Sequence, residues 1–167
     1  MTARVEIRRM RVDEVDATSG LLRAAYGGDY RLDPGYFDEI ADVRSRAESA
    51  QLWVAADRVG GAVLGSVTTP FPGRRLQRDS APDEMDVRLL GVAREARGRG
   101  VGELLMRHCV SLARERGARR LVLHTASQMV AAQRLYERMG FERVPEREHD
   151  FVAMGERRRL MAYALVL

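Results

Sequence analysis

The 167-residue chain has one cysteine, Cys109, and that scarcity removes several chemistries together. No intrachain disulfide can form, and no cysteine-based zinc site can be assembled. Histidine is almost as scarce, and His108, His124 and His149 stand without metal-ligand spacing between them. No metal is therefore expected. No apolar run is long enough to span a bilayer, and no signal-peptide pattern opens the chain, so no membrane partner and a cytoplasmic location are expected. Internal repeats and low-complexity segments are missing as well. The length suits one domain, 1–167, with a proper core. What the chain does have is basicity, with a net charge of +4 and a pI near 9.8. Such a balance suits an anionic small molecule, RNA or DNA. The two most basic stretches, Arg114 to Arg120 and Arg157-Arg158-Arg159, are interleaved with or flanked by Glu and lack the aromatic platforms of a single-strand binder. They are read as solvated faces, and no nucleic-acid partner is expected.

The chain is organised around residues 87–116. An apolar run, Val87-Arg88-Leu89-Leu90-Gly91-Val92, enters the stretch Val92-Ala93-Arg94-Glu95-Ala96-Arg97-Gly98-Arg99-Gly100-Val101-Gly102, and an amphipathic segment from Val101 to Arg116 leaves it. The pattern is strand, glycine-rich turn, helix, in which the free N–H groups of a helix start can hold an anion. Gly98, Gly100 and Gly102 remove side chains where a phosphate would approach the backbone. Arg97 and Arg99 add positive charge, and the helix end adds about half a charge more. A P-loop is excluded, because Gly102 is followed by Glu103-Leu104 rather than Lys-Ser/Thr. The dinucleotide fingerprint is excluded too, since its third glycine would fall on Glu103 or Leu105. The stretch reads as a pyrophosphate cradle.

Taken in order, Arg4 to Val12 alternates as a first strand, and Asp13 is a candidate N-cap for a helix through Val15, Leu21, Leu22 and Ala25, stopped by Gly27-Gly28. A second helix is expected from about Tyr36 to Ala50. Leu52 to Ala56 and Ala62 to Thr68 flank Arg58-Val59-Gly60-Gly61, a hairpin signal. Pro70 to Pro82 is the longest polar loop, followed by one strand from Glu84 to Val92. The cradle helix is expected to bury Val101, Leu104, Leu105, Cys109 and Leu112, with Gly117 just past its end. Arg120 to Thr125 is a short buried strand, Met129 to Met139 a helix, and Phe141 to Val144 with Leu160 to Leu167 a closing antiparallel pair, the latter a strand that could also pair between subunits of a homodimer. The order describes a mixed α/β domain.

A second motif, Ala132-Gln133-Arg134-Leu135-Tyr136-Glu137-Arg138-Met139-Gly140-Phe141, follows the cradle with a strand and a loop between. It matches Ala-x-x-Leu-Tyr-Glu-x-x-Gly-Phe, and the cradle matches Arg/Gln-x-x-Gly-x-Gly/Ala. Over about Glu84 to Val144 the chain resembles the GNAT superfamily of acyl-CoA-dependent N-acyltransferases. The resemblance implies an α/β (α+β) fold with a mostly antiparallel central sheet flanked by about four helices, and acetyl-CoA as cosubstrate. It implies that Arg97, Gly98, Arg99, Gly100, Val101 and Gly102 bind the coenzyme A pyrophosphate, and that Leu90, Gly91 and Val92 pair with the pantetheine arm like a further strand. Tyr136 matches the tyrosine near the thioester sulfur. Two positions depart from the pattern: Arg94 replaces a usual proline, and Met129 a common asparagine.

The implied reaction moves an acetyl group directly to a primary amine of a small molecule or peptide. A phenol with a pKa of about 10 stays protonated at neutral pH, so Tyr136 can donate to the departing sulfur. Asp86 matches the position of a carboxylate that takes the amine proton, through a water because aspartate is short, with Glu84 in reserve and His124 as an outside candidate. The backbone N–H near Val92 is the natural oxyanion donor. Cys109 lies on the apolar helix face and reads as core. Asp29, Asp33 and Asp38, with Glu146, Glu148 and Asp150, are expected to flank the acceptor side and to favour a cationic amine. A catalytically silent acyl-CoA-binding module is the alternative.

Overall fold

The computed structural model describes residues 4–29 and 31–167, Asp29 through its backbone alone. In chain order the elements are β1 (Val5–Arg9), α1 (Val15–Asp29), α2 (Pro34–Ala41), α3 (Val43–Ser49), β2 (Gln51–Asp57), β3 (Val63–Thr69), β4 (Glu84–Asp86), β5 (Arg88–Val92), α4 (Val101–Glu115), β6 (Arg120–Ala126), α5 (Val130–Arg138), β7 (Glu142–Arg143), β8 (His149–Ala153) and β9 (Glu156–Val166). Short 3-10 turns cover Val12–Glu14, Arg94–Ala96 and Pro145–Arg147. No helix among the described residues is long and apolar enough to cross a membrane.

The strands form two sheets. One has the order β1-β2-β3-β5, antiparallel throughout. In the other, β4 runs parallel to β6, while β9 lies antiparallel to β6 and receives β7 and β8 on its far side. Only β4 with β6 is parallel, so the mostly antiparallel expectation holds, with five α-helices instead of about four. The strand expected as one piece from Glu84 to Val92 is two. Val87 N still donates to Val122 O at 3.2 Å in the second sheet, whereas Arg88 is already in register with Thr68 of the first. The chain thus changes sheet between Val87 and Arg88, and Leu89, φ +57°, lies in a bulge of the β3–β5 pairing just beyond, where Arg88 to Gly91 takes three steps against two from Thr68 to Ser66, which breaks the period of two.

Other differences have local causes. Helix α1 runs on through Gly27 and Gly28 instead of stopping there. A Cβ at Gly27 would lie 2.8 Å from the Phe37 ring, so this glycine serves close packing of α1 on α2. The expected helix from Tyr36 to Ala50 is two helices, because Asp42 leaves helical geometry (ψ +67°) and its carboxylate caps Ser45 N at 3.2 Å. Pro34 opens α2 at a position where the missing N–H costs nothing. On α4 the buried face is Val101, Leu105, Met106, Cys109, Val110 and Ala113, so Leu104 and Leu112 sit half-buried at its margin. The strand expected to be able to join subunits, now β9, has β6 on one side and β8 then β7 on the other, which fills most of its edges within the chain.

One apolar cluster runs from Val15 and Leu22 on α1 through Val67, Leu105 and Cys109 to Leu123 and Tyr163, tying both sheets and α4 together. The β8–β9 hairpin hangs on Glu148. Its carboxylate receives a guanidinium fork from Arg143, a bond from Arg159 Nε at 3.3 Å and the Ala162 N–H at 3.0 Å. The Arg143 fork leads in lowering the Glu148 carboxyl to about 2. A depressed carboxyl stabilises the fold above its unfolded pKa and loses that contribution as pH falls through the folded one. Thermal melts should therefore show stability falling between about pH 5 and pH 2, and Glu148→Gln should flatten that slope while lowering the melting temperature at neutral pH.

Candidate active site

The break between β4 and β5 leaves a cleft between the sheets. It encloses about 450 Å³, with β5 along one side, the start of α4 at one end, and β6 and α5 opposite. β5 is the last strand of its sheet, so one edge is open. The Ala93 N–H bonds back to Leu64 O at 2.8 Å, and Gly91 pairs with Ser66. The alternation of an antiparallel ladder then turns the N–H groups of Leu90 and Val92 to the open edge. Tyr26 of α1 reaches across and donates its hydroxyl to Leu90 O at 2.9 Å, fixing that edge.

At the end of the cleft the chain makes its glycine turn. Gly98 and Gly100 adopt φ of +75° and +77°, and a Cβ at either would meet nothing within 4 Å. The requirement for glycine there is conformational, and the space above stays open to a ligand. Gly100 is the residue before the first helical turn, and the first helix bond is Leu104 N to Gly100 O at 3.0 Å. The N–H groups of Val101, Gly102 and Glu103 thus have no partner inside the helix and point outward with its positive end. Arg97 lines the same space. These residues fit a diphosphate group.

Of the residues singled out in the sequence, the cleft brings together Leu90, Gly91, Val92, Arg97, Gly98, Gly100, Val101, Gly102 and Tyr136. Arg99 is not among its lining residues. Tyr136 is almost fully buried on α5, packed against Phe141 and Tyr163 with ring centroids 5.7 and 5.8 Å away. Cys109 is fully buried, and burial pushes its thiol up to about 12.

Asp86, expected from the sequence as a base, is not among the residues that line the cleft. Its carboxylate is buried and accepts from Leu76 N at 2.9 Å, Gln77 N at 2.8 Å and Ser80 Oγ at 2.6 Å. Both oxygens accept from the 70–83 loop, Oδ2 from all three donors and Oδ1 from Leu76 N at 3.0 Å, so the carboxylate anchors that loop. Glu84 is equally committed. Burial favours its neutral form, but the Ala81 N–H at 2.7 Å and the guanidiniums of Arg147 at 3.0 Å and Arg120 at 2.7 Å outweigh that and hold its carboxyl below the usual range.

The loop that Asp86 anchors carries Asp79, whose Oδ2 lies 2.9 Å from His124 Nε2 on β6. His124 is largely buried and lines the cleft. Nε2 thus faces the Asp79 carboxylate, and Nδ1 is the ring nitrogen not in contact with it. The sequence carries no local signal for this pair, because loop and strand meet only in the fold.

A second cavity of about 900 Å³ adjoins the first and shares Tyr26, Arg88, Leu89, His124, Thr125 and Met129 with it. Asp33, Glu146 and Glu148 line it, as do Asp79 and four arginines, Arg78, Arg88, Arg147 and Arg158. Asp38 and Asp150 do not, and the Asp29 side chain lies outside the described residues. Carboxylates and guanidiniums are thus equal in number, and Glu148 is saturated by arginine, so the cavity is not the acidic surface the sequence suggested.

A sequence profile of the Acetyltransferase (GNAT) family matches residues 16–141. The chain is 36% identical over 97 residues to a probable N-acetyltransferase camello of Xenopus tropicalis, covering 58% of this chain and 41% of that one. It is 36% identical over 90 residues to the mycothiol acetyltransferase of Beutenbergia cavernae, covering 54% and 28%. The chain thus spans less than half the length of these relatives. A GCN5-related N-acetyltransferase from Kribbella flavida has the same fold, with a TM-score of 0.74 at 23% identity over all of both chains.

The anchoring role of Asp86 has a measurable consequence. Asp86→Asn should lower stability by about 1–3 kcal/mol, since loop N–H donors lose a charged acceptor. Chemical denaturation checks the loss. If Asp86 acted as a base, catalysis would collapse in a variant of unchanged stability.

Proposed function

Since the chain belongs to the GNAT acetyltransferase family, we propose that it transfers an acetyl group from acetyl-CoA directly to a primary amine of a small molecule or peptide held in the outer cavity. The observation that carries this reading is the shared cleft, where an unpaired strand edge, an anion-binding helix start, Tyr136 and His124 line one space. Acetyl-CoA supplies the activated acetyl thioester.

The open edge of Leu90, Gly91 and Val92 holds an amide-bearing pantetheine arm by strand addition. The N–H groups from Gly98 to Gly102 and the positive end of α4 hold the pyrophosphate, with Arg97 beside them. The outward N–H of Leu90 or Val92 stabilises negative charge on the thioester oxygen. His124 Nδ1 accepts the proton of the attacking ammonium, and Asp79 stabilises the imidazolium that results. Tyr136 donates its phenolic proton to the departing sulfur; a phenol at about 10 is a weaker acid than a thiol at about 8.5, so the proton moves only as charge develops on sulfur, and the second proton released by the amine nitrogen as the amide forms restores the phenol. The transfer needs the hydrogen bond to form as sulfur charge develops. The inert Cys109 supports transfer without an acyl-cysteine intermediate.

A thiol-release assay with acetyl-CoA against an amine panel tests this. Turnover should fall by about 10²–10⁴ in His124→Gln and in Tyr136→Phe. Tight acetyl-CoA binding with no turnover on any amine would instead indicate a silent binding module.

A further inference from the structure

The ring of residues joining the two cavities contains one guanidinium, Arg88. It faces His124 and Thr125 across the gap between β5 and β6. Its only ion partner among the described residues is Glu39 Oε1 at 3.5 Å, on a side chain 59% exposed. The Arg88 guanidinium makes no hydrogen bond in the described structure, although 70% of its side chain is covered, as its 30% exposure requires. The other arginines of the outer cavity are differently placed. Arg147 is tied to Glu84, Arg158 donates to Arg31 O and Glu156, and Arg78 is exposed away from the junction. Arg46 lies near enough that, after burial, the Arg88 charge contributes to lowering its pKa. The junction therefore holds a planar guanidinium fork whose donors make no hydrogen bond and whose one ion partner is an exposed carboxylate.

A second unused polar group lies in the same ring. Thr125 Oγ1 is buried without a hydrogen-bond partner, and Thr125 lines both cavities. A buried hydroxyl left unmatched is costly unless a ligand completes it. An arginine fork takes a carboxylate through two parallel bonds, and a hydroxyl can donate to a carboxylate as well.

Resting on the transferase reading above, we propose that the acceptor is an α-amino carboxylate, a free amino acid or an amino-acid conjugate, with Arg88 binding the carboxylate. His124 lines the same junction, and an α-amino acid carries its amine and its carboxylate on one carbon, so in such an acceptor the two groups enter the junction together. Arg88 is then a specificity residue, and the outer cavity receives the rest of the acceptor.

The test uses the full chain with acetyl-CoA and a set of free amino acids, each beside its carboxamide and its decarboxylated amine. Wild type should acetylate the free acid more efficiently than either analogue by about 10- to 100-fold, the range of a charged hydrogen-bonded pair. Arg88→Gln should erase that preference through KM for the acid, with the decarboxylated amine unaffected. Arg88→Lys should restore it in part, because charge returns without the fork. Glu39→Gln, which leaves the guanidinium intact, should keep or increase the preference. Equal use of the three series by wild type would overturn the proposal while leaving the transferase reading standing. So would an equal loss on all three series in a folded Arg88→Gln protein. No acetyl transfer to any amine would overturn the transferase reading itself.

Discussion

The change of sheet between Val87 and Arg88 is the constraint on which the rest of the site depends. One run of chain belongs to two sheets there, and just beyond it Leu89 sits left-handed in the β3–β5 bulge, a conformation that costs a non-glycine residue about 1–2 kcal/mol. β4 finishes its pairing with β6 at Val87, and β5 begins its pairing with β3 at Arg88. Had the chain stayed in the second sheet past Val87, residues 88–92 would continue beside β6, and their edge would be closed by backbone hydrogen bonds. Because it changes sheet, the edge of β5 stays open opposite β6, and the cleft lies between. Leu89 itself is buried in the apolar cluster, which supplies the packing that holds the strained conformation.

The same break positions the polar groups. β4 ends in Asp86, and the Asp86 carboxylate gathers the N–H groups of Leu76 and Gln77 and the hydroxyl of Ser80. That fixes the segment bearing Asp79, which in turn meets His124 on the neighbouring strand. A carboxylate that looked like a base is thus the anchor of a loop whose own carboxylate orients an imidazole. On the other side of the break, Arg88 is the first residue of β5 and the only arginine shared by both cavities. Strand termini at a sheet junction are where side chains from separate elements converge on one space.

The glycine turn before α4 and the place of Tyr136 on α5 were legible in the sequence because their signals are local. A backbone that must adopt positive φ and stay open to a ligand demands glycine at fixed spacing, and Gly98 and Gly100 announce it. Other features were not legible because they depend on partners distant in the chain. Gly27 reads as a helix stop until Phe37 is seen against it. The alternation from Glu84 to Leu90 predicts faces correctly for a straight strand, and the chain is not straight at Leu89. The close contact between Asp79 and His124 links a polar loop to a buried strand, and no pattern within either segment specifies it.

The central claim is that the open β5 edge and the start of α4 together bind an acyl-CoA through backbone N–H groups. Backbone amide NMR of the full chain during titration with coenzyme A tests it most directly. The largest shifts should fall on Leu90, Val92 and the amides from Gly98 to Glu103, with the β8–β9 hairpin little changed. Saturable binding that leaves those amides unmoved and perturbs the hairpin or the outer cavity would contradict the account.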